Sequence, residues 1–210
     1  MTDNGTIPRW LVWAREIQAL AQTGETYALN DWQRERYRRL MEIAAEIISE
    51  HANQPVEPIF ESFKLQPGYA TPKVDVRGAV FQDDQLLLVR ERMDGGWAMP
   101  GGWADVGDTP ALGAEREVWE ESGFRVKARK LVGVYDANRS RPLELYHAIR
   151  LVFLCELIGG EARTSNETTE VAFFHEDEIP GPLSGERTGS RHIEHAFAAL
   201  RDPQWKSIFD

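Results

Sequence analysis

One stretch constrains this chain more than any other. From Pro100 it reads Pro-Gly-Gly-Trp-Ala-Asp-Val-Gly-Asp-Thr-Pro, and it continues to Arg116-Glu117-Val118-Trp119-Glu120-Glu121-Ser122-Gly123-Phe124. Thr109 is a good N-cap and Pro110 suits a first helical turn, so a glycine-rich loop feeding a helix is predicted. Gly123 ends that helix, because glycine tolerates the left-handed conformation of a helix stop. Ala111, Leu112, Ala114 and Val118 give it an apolar side for docking on a sheet. Glu117, Glu120 and Glu121 stand at i, i+3 and i+4 and so project from one face.

Three glutamates so placed repel one another by about 0.2–0.5 kcal/mol per pair when solvated, and the negative end of the helix dipole adds to the cost. Alone, the trio is most often a solvated acidic face. A hard divalent cation reverses the sign of the problem, since Mg²⁺ takes carboxylate oxygens and keeps several waters.

The register of the flanks decides between these readings. The stretch resembles the Nudix box: glycine, five residues, glutamate, seven residues, then Arg-Glu-aliphatic-any-Glu-Glu-any-Gly-aliphatic. Gly102, Arg116, Glu117, Glu120, Glu121 and Gly123 all fall in place, with Val118 and apolar Phe124. Six fixed residues, each used at roughly 5–7%, coincide by chance in ~10⁻⁵ of chains this long. Asp108 stands where the family has glutamate, one methylene short. In the family that residue supports the helix and its arginine, so less margin is expected there but no loss of chemistry. The resemblance implies a mixed β-sheet between α-helices. It also implies metal binding by Glu117 and Glu121 with help from Glu120 and the Gly101 carbonyl, and Mg²⁺ as cofactor with Mn²⁺ as a substitute.

The rest of the chain frames this segment. Trp10, Ala14, Ile17 and Ala21 form a helical stripe that Gly24 is expected to stop. Asn30 with Gln33 makes a capping-box-like start for a second helix carrying Tyr37, Leu40, Met41, Ala44, Ile47 and Ile48. A short third helix is expected around Ile59, Phe60 and Phe63. After the turn-rich segment 66–72 the pattern changes to strands. Val74 to Phe81 and Leu86 to Val89 make a hairpin about Asp83-Asp84. Further strands are expected at Val126–Leu131, Val132–Tyr135, Tyr146–Leu157 and Val171–Phe174, with a last helix over Arg191–Leu200. The fold class is therefore α+β: a small all-α N-terminal domain, residues 1–66, ahead of a Nudix domain, residues 67–210. A cap of about 65 residues is marginal alone, so it is expected to pack on the catalytic domain or on a second subunit as a homodimer. Nearly the full length also resembles the Nudix group with an N-terminal helical domain, described as ADP-ribose or CDP-choline pyrophosphatases. Its segments are Ile17–Gly24, Thr71–Gly78 and Pro203–Asp210.

The 210 residues carry a net charge of −10, which opposes non-specific nucleic-acid binding. The run Arg34, Arg36, Arg38, Arg39 is read as a solvated face rather than a nucleic-acid surface. One cysteine, Cys155, precludes an intramolecular disulfide and reads as a core residue. Without a signal segment or an apolar run long enough for a membrane, a soluble cytoplasmic protein is expected.

The expected reaction is water attack on phosphorus in the diphosphate bridge of a small nucleotide substrate of the ADP-ribose or CDP-choline type. Catalytic candidates are Glu120, Glu121 and Glu167, the last lying where Nudix enzymes often carry a base. Metal candidates are Gly101, Glu117, Glu120 and Glu121. Arg77 and Arg90 are candidates for bidentate phosphate contacts and Tyr146 for the nucleobase. His192 and His195 read as packing residues, since Mg²⁺ disfavours imidazole. Two alternatives stay open: a triphosphate pyrophosphohydrolase of the same fold, and a Nudix-like ligand-sensing regulator.

Overall fold

The computed structural model describes residues 8–65, 67–137, 147–185 and 187–210. Of the described residues, those up to Pro72 together with His147 form one compact unit, and the others from Lys73 onward form a second.

The first unit holds α1 (Arg9–Thr26), α2 (Asp31–Ala52) and α3 (Val56–Lys64). Asn30 caps α2 by accepting from the Gln33 N–H at 2.9 Å, while the Gln33 side chain accepts from the Leu29 N–H at 2.9 Å. The three helices close on Leu11, Ala14, Ala21, Met41, Ala44, Ile48, Ile59 and Phe63. The expectation that Gly24 stops α1 is corrected: the helix runs through it to Thr26. A Cβ at Gly24 would lie 2.3 Å from the Tyr37 ring, so the glycine serves the close approach of α2 to α1.

The second unit is built on a mixed sheet ordered β3-β2-β1-β6-β5-β8, with β4 also on β1 and β7 also on β2. The strands are β1 (Lys73–Gln82), β2 (Gln85–Glu91), β3 (Trp97–Ala98), β4 (Gly101–Trp103), β5 (Phe124–Asp136), β6 (Ala148–Gly160), β7 (Thr168–Phe174) and β8 (Ile208–Phe209). The two-residue turn between β1 and β2 places both Asp83 and Asp84 at positive φ, as a tight hairpin requires. β1 and β6 run parallel through eight paired positions, and β5 and β6 antiparallel. The segment read as two strands about Leu131 is the single strand β5, with the register shifts of bulges that include one at Leu131/Gly133.

Helices α4 (Pro110–Ser122) and α5 (Ser190–Arg201) cover opposite faces of the sheet. Alternation along the strands sorts the residues. Val80 and Leu87 pack with Val118 of α4, whereas Ala79, Leu86 and Leu88 pack with Ile193 and Phe197 of α5. Gly78 lets α4 close onto β1, since a Cβ there would meet Val118 Cγ2 at 2.3 Å. The mixed sheet between helices, preceded by an all-α region, is the architecture expected from sequence.

Candidate active site

The site grows from the way α4 begins and ends. Thr109 caps it by accepting from the Leu112 N–H, Pro110 opens the first turn, and Gly123 closes it at φ 79°. The loop before it lies against β1 through β4, with Arg77 opposite Gly101 and Val76 opposite Gly102. Gly101 sits at φ 152°, and a Cβ there would be 2.1 Å from the Val76 carbonyl oxygen. Only glycine allows that approach. It turns the Gly101 N–H onto Glu121 Oε2 at 2.9 Å.

Glu121 is 5% exposed. Burial pushes its carboxyl up to about 7, against the pull of Arg77 and the Gly101 N–H, with Glu91 and Glu117 adding to the rise. The carbonyl of Glu121 accepts from Thr168 Oγ1 at 2.9 Å, which ties the end of α4 to the start of β7. Glu117 lies one turn earlier, and a Cβ on Gly102 would meet its Oε2 at 2.9 Å. Its carboxyl too is raised, chiefly by burial. Glu120 is the outlying member of the trio, its side chain 47% exposed.

Arg116 organises the acidic face. It pairs with Asp105 at 3.1 Å, Asp108 at 3.2 Å, Glu117 at 2.8 Å and Glu120 at 3.0 Å. Burial works against its charge, but the Asp108 hydrogen bond and Glu117 outweigh it and raise its pKa. The shorter Asp108 therefore still reaches the arginine, and Asp105 joins it on the same guanidinium.

Beneath this layer is a buried charge network that sequence reading missed. Asp75 accepts from Arg77 Nε and Nη2 at 3.0 and 2.8 Å and from Arg150 Nε at 2.8 Å. Arg77 also donates to the Met99 carbonyl at 3.2 Å. All three charged residues are at most 4% exposed. Arg77, expected at substrate phosphate, is thus placed in the floor, holding the Met99–Gly101 segment under the loop. The period-two spacing of Asp75 and Arg77 on β1 was the available signal. Arg150 carried none, because its partner is 75 residues away.

The remaining candidates are scattered. Arg90 is engaged with Glu170 at 2.6 Å and with the Gly95 carbonyl at 2.9 Å. Glu167 is exposed in the turn before β7, its carbonyl accepting from the Arg92 N–H at 2.8 Å. Tyr146 lies outside the described residues. His192 accepts the Gly189 N–H on Nδ1, and burial and then Arg150 push it down to about 3, so it is a neutral packing residue. His195 meets Tyr135 Oη at 3.0 Å.

The donor chemistry fits a hard divalent cation: carboxylates beside a glycine backbone. Among the described residues no three His, Cys, Asp or Glu side chains stand close enough to enclose an ion. Glu117 and Glu120 are turned to Arg116 and Glu121 to the Gly101 N–H.

The arginine run on α2 offers no free basic stripe. Arg34 pairs with Asp31, Arg38 with Glu25 and Arg39 with Glu42 and Glu46, while Arg36 lies over the Trp32 ring at 3.6 Å. No helix among the described residues is long and apolar enough to cross a membrane.

Comparison with known proteins agrees with this geometry. Residues 71–197 match the NUDIX domain, and residues 8–63 match a UDP-X-like, N-terminal oligomerisation domain. A putative ADP-ribose pyrophosphatase of Bacillus subtilis is 39% identical, with 96% of this chain and 97% of that protein covered. A solved UDP-X diphosphatase superposes at TM-score 0.62 with 30% identity, over 95% of this chain and 97% of that one. A solved ADP-ribose pyrophosphatase of Streptococcus suis superposes at TM-score 0.61 with 36% identity, over 67% of this chain and all of that one.

Proposed function

Because this chain belongs to the Nudix hydrolase family, we propose that it hydrolyses the diphosphate bridge of a nucleoside diphosphate derivative, with ADP-ribose as the first substrate to be tried. The observation that carries this reading is Glu121, a buried carboxyl raised to about 7 that accepts from the Gly101 N–H at 2.9 Å. A buried carboxylate of that kind is held ready for a positive partner or a proton.

Nudix hydrolases generally use divalent metal ions, and Mg²⁺ is the proposed ion here, with Mn²⁺ as substitute. Glu117, Glu121 and the Gly101 carbonyl would hold it, with Glu120 at the rim. Once bound, such an ion neutralises phosphate charge and lowers the pKa of a bound water. The protein's own part is to keep these groups in place. Arg116 restrains Glu117 and Glu120, Thr168 restrains the Glu121 backbone, and Arg77 fixes the segment leading to Gly101. Water attacks one phosphorus of the bridge, the bond to the bridging oxygen breaks, and two monophosphates leave. Glu167 and Glu120 are the proposed acceptors of the proton released, both being exposed carboxylates. Arg90 and Tyr146 remain proposed contacts for the substrate.

The two similar pyrophosphatases act, by name, on ADP-ribose, which supports that substrate. A second reading, a UDP-linked diphosphate, is favoured by the UDP-X-like match of the N-terminal helices and by the near full-length likeness to a UDP-X diphosphatase. CDP-choline remains a third. The test is product analysis with ADP-ribose, UDP-linked diphosphates, CDP-choline and nucleoside triphosphates, each with Mg²⁺ and with Mn²⁺. Two monophosphates from a linked diphosphate are expected. Pyrophosphate released from triphosphates alone would instead assign a triphosphate pyrophosphohydrolase.

We also propose a homodimer formed through the N-terminal helices, in the cytoplasm. Along α2, Trp32 and Leu40 are 61% and 40% exposed. With Arg36, Tyr37 and Arg39 they line a groove of about 540 Å³. Such a surface fits a second copy better than open solvent.

A further inference from the structure

Glu91 takes no part in the motif, yet it is the most deeply buried glutamate among the described residues, at 1% exposure. It ends β2. Residues two apart on a strand share a face, and Leu87 of that strand packs with Val118 of α4, so Val89 and Glu91 look toward α4. The register shift beside Glu91 does not reset this alternation. Arg90 pairs with Glu170 and Glu91 with Thr168, so the extra residue, Thr169, belongs to β7. Thr168, directly opposite Glu91, is the residue whose hydroxyl holds the Glu121 carbonyl at 2.9 Å.

The two oxygens of Glu91 are unequal. Oε2 pairs with Arg187 at 2.9 Å, from the segment whose Thr188 accepts the Met99 N–H at 3.0 Å. Oε1 is buried with no hydrogen-bond partner among the described residues. Taking a carboxylate oxygen out of water without a partner is costly, so a fold retains one only where something else satisfies it. Glu121, Arg77 and Glu167 all lie near enough to act electrostatically on this cluster.

We infer that Glu91 is a further carboxylate of the divalent-cation site, its free Oε1 accepting a hydrogen bond from a water carried by the ion. The inference rests on the proposed use of such an ion. An outer position fits the habit of Mg²⁺ of keeping several waters. The Arg187 pair then orients Glu91 rather than being its purpose.

The test is calorimetric titration of Mn²⁺ into ion-free protein, for wild type, Glu91→Gln and Arg187→Gln, with the melting temperature of each ion-free variant recorded. Glu91→Gln is expected to weaken Mn²⁺ binding about 10- to 100-fold, the usual effect of losing an outer-shell partner. It should leave the ion-free melting temperature unchanged or higher. Arg187→Gln should keep Mn²⁺ affinity within about two-fold on the same scale. Wild-type Mn²⁺ affinity in Glu91→Gln would overturn the inference while leaving the cation reading intact. Equal weakening in both variants would overturn it as well, by showing that Glu91 acts only through Arg187. Absence of Mn²⁺ binding by the wild type would remove the cation reading itself. If Glu91→Gln does not fold, Glu91→Asp replaces it. Reduced Mn²⁺ affinity is expected there, and wild-type affinity would overturn the inference.

Discussion

Glu121 is where the proposed chemistry meets the demands of folding. Its carboxyl lies near 7 in the folded chain against 4.5 in the unfolded one. The folded state therefore binds more protons between those values, so this group's contribution to stability is whole below about 4.5 and is lost as the pH rises through 7. The loss is on the order of 3 kcal/mol at 1.36 kcal/mol per unit. Glu91 and Glu117, also raised by burial, push in the same direction. Asp75 is held below its usual range: burial opposes this, and Arg77 and Arg150 more than offset it. Its stabilising effect is lost only as the pH falls below the ordinary carboxylate range. Ion-free protein should thus melt at a higher temperature at pH 5 than at pH 8. Glu121→Gln should narrow that gap by raising the value at pH 8. Scanning calorimetry in the presence of a chelator measures both, and a flat profile in the wild type would contradict the burial argument.

At the scale of elements, the site depends on how closely α4 approaches β1. Gly78 sets that distance, since any Cβ there meets Val118 Cγ2 at 2.3 Å. Gly78→Ala should cost about 1–3 kcal/mol, the usual penalty for overpacking a filled core, and should reduce turnover by displacing Glu117 and Glu121 together. Denaturant melts and steady-state kinetics on one preparation test this. An unchanged midpoint would show that the helix has room to shift. Local signals in the sequence predicted α4 to within a residue, because Thr109, Pro110 and Gly123 each act on their own backbone. Asn30 likewise marked the start of α2. Signals that depend on distant partners were not legible. Gly24 looked like a helix stop, but its role is set by Tyr37 on another helix. β5 looked like two strands because a bulge interrupts its alternation, and only pairing with β6 shows the continuity. The same division holds at the site. The box glutamates declare themselves by spacing, whereas Asp75, Arg150 and Glu91 acquire meaning only when strands far apart in sequence are brought together.

For the whole molecule, the two units carry different kinds of information. The sheet unit holds the glutamates of the candidate site. The helical unit has its own small core yet leaves Trp32, Leu40, Leu29 and Tyr27 on its surface. A hydrophobic set of this size on a small helical unit is consistent with the proposed self-association. Leu40→Glu should turn a dimer into a monomer by light scattering at micromolar concentration, with the folded signal in circular dichroism retained. A wild type that is already monomeric there would contradict the dimer. The net charge of −10 bears instead on the proposed reaction, in which a bound ion would supply positive charge between an acidic chain and an anionic substrate.

The most direct test of the central claim is the turnover of ADP-ribose by Glu121→Gln with saturating Mg²⁺, beside wild type. The substitution keeps the size of the side chain and removes its charge. Wild type should release AMP and ribose 5-phosphate. The variant should keep its fold and lose orders of magnitude in kcat. Near-normal turnover in Glu121→Gln would contradict the assignment of the buried carboxylate to the chemistry.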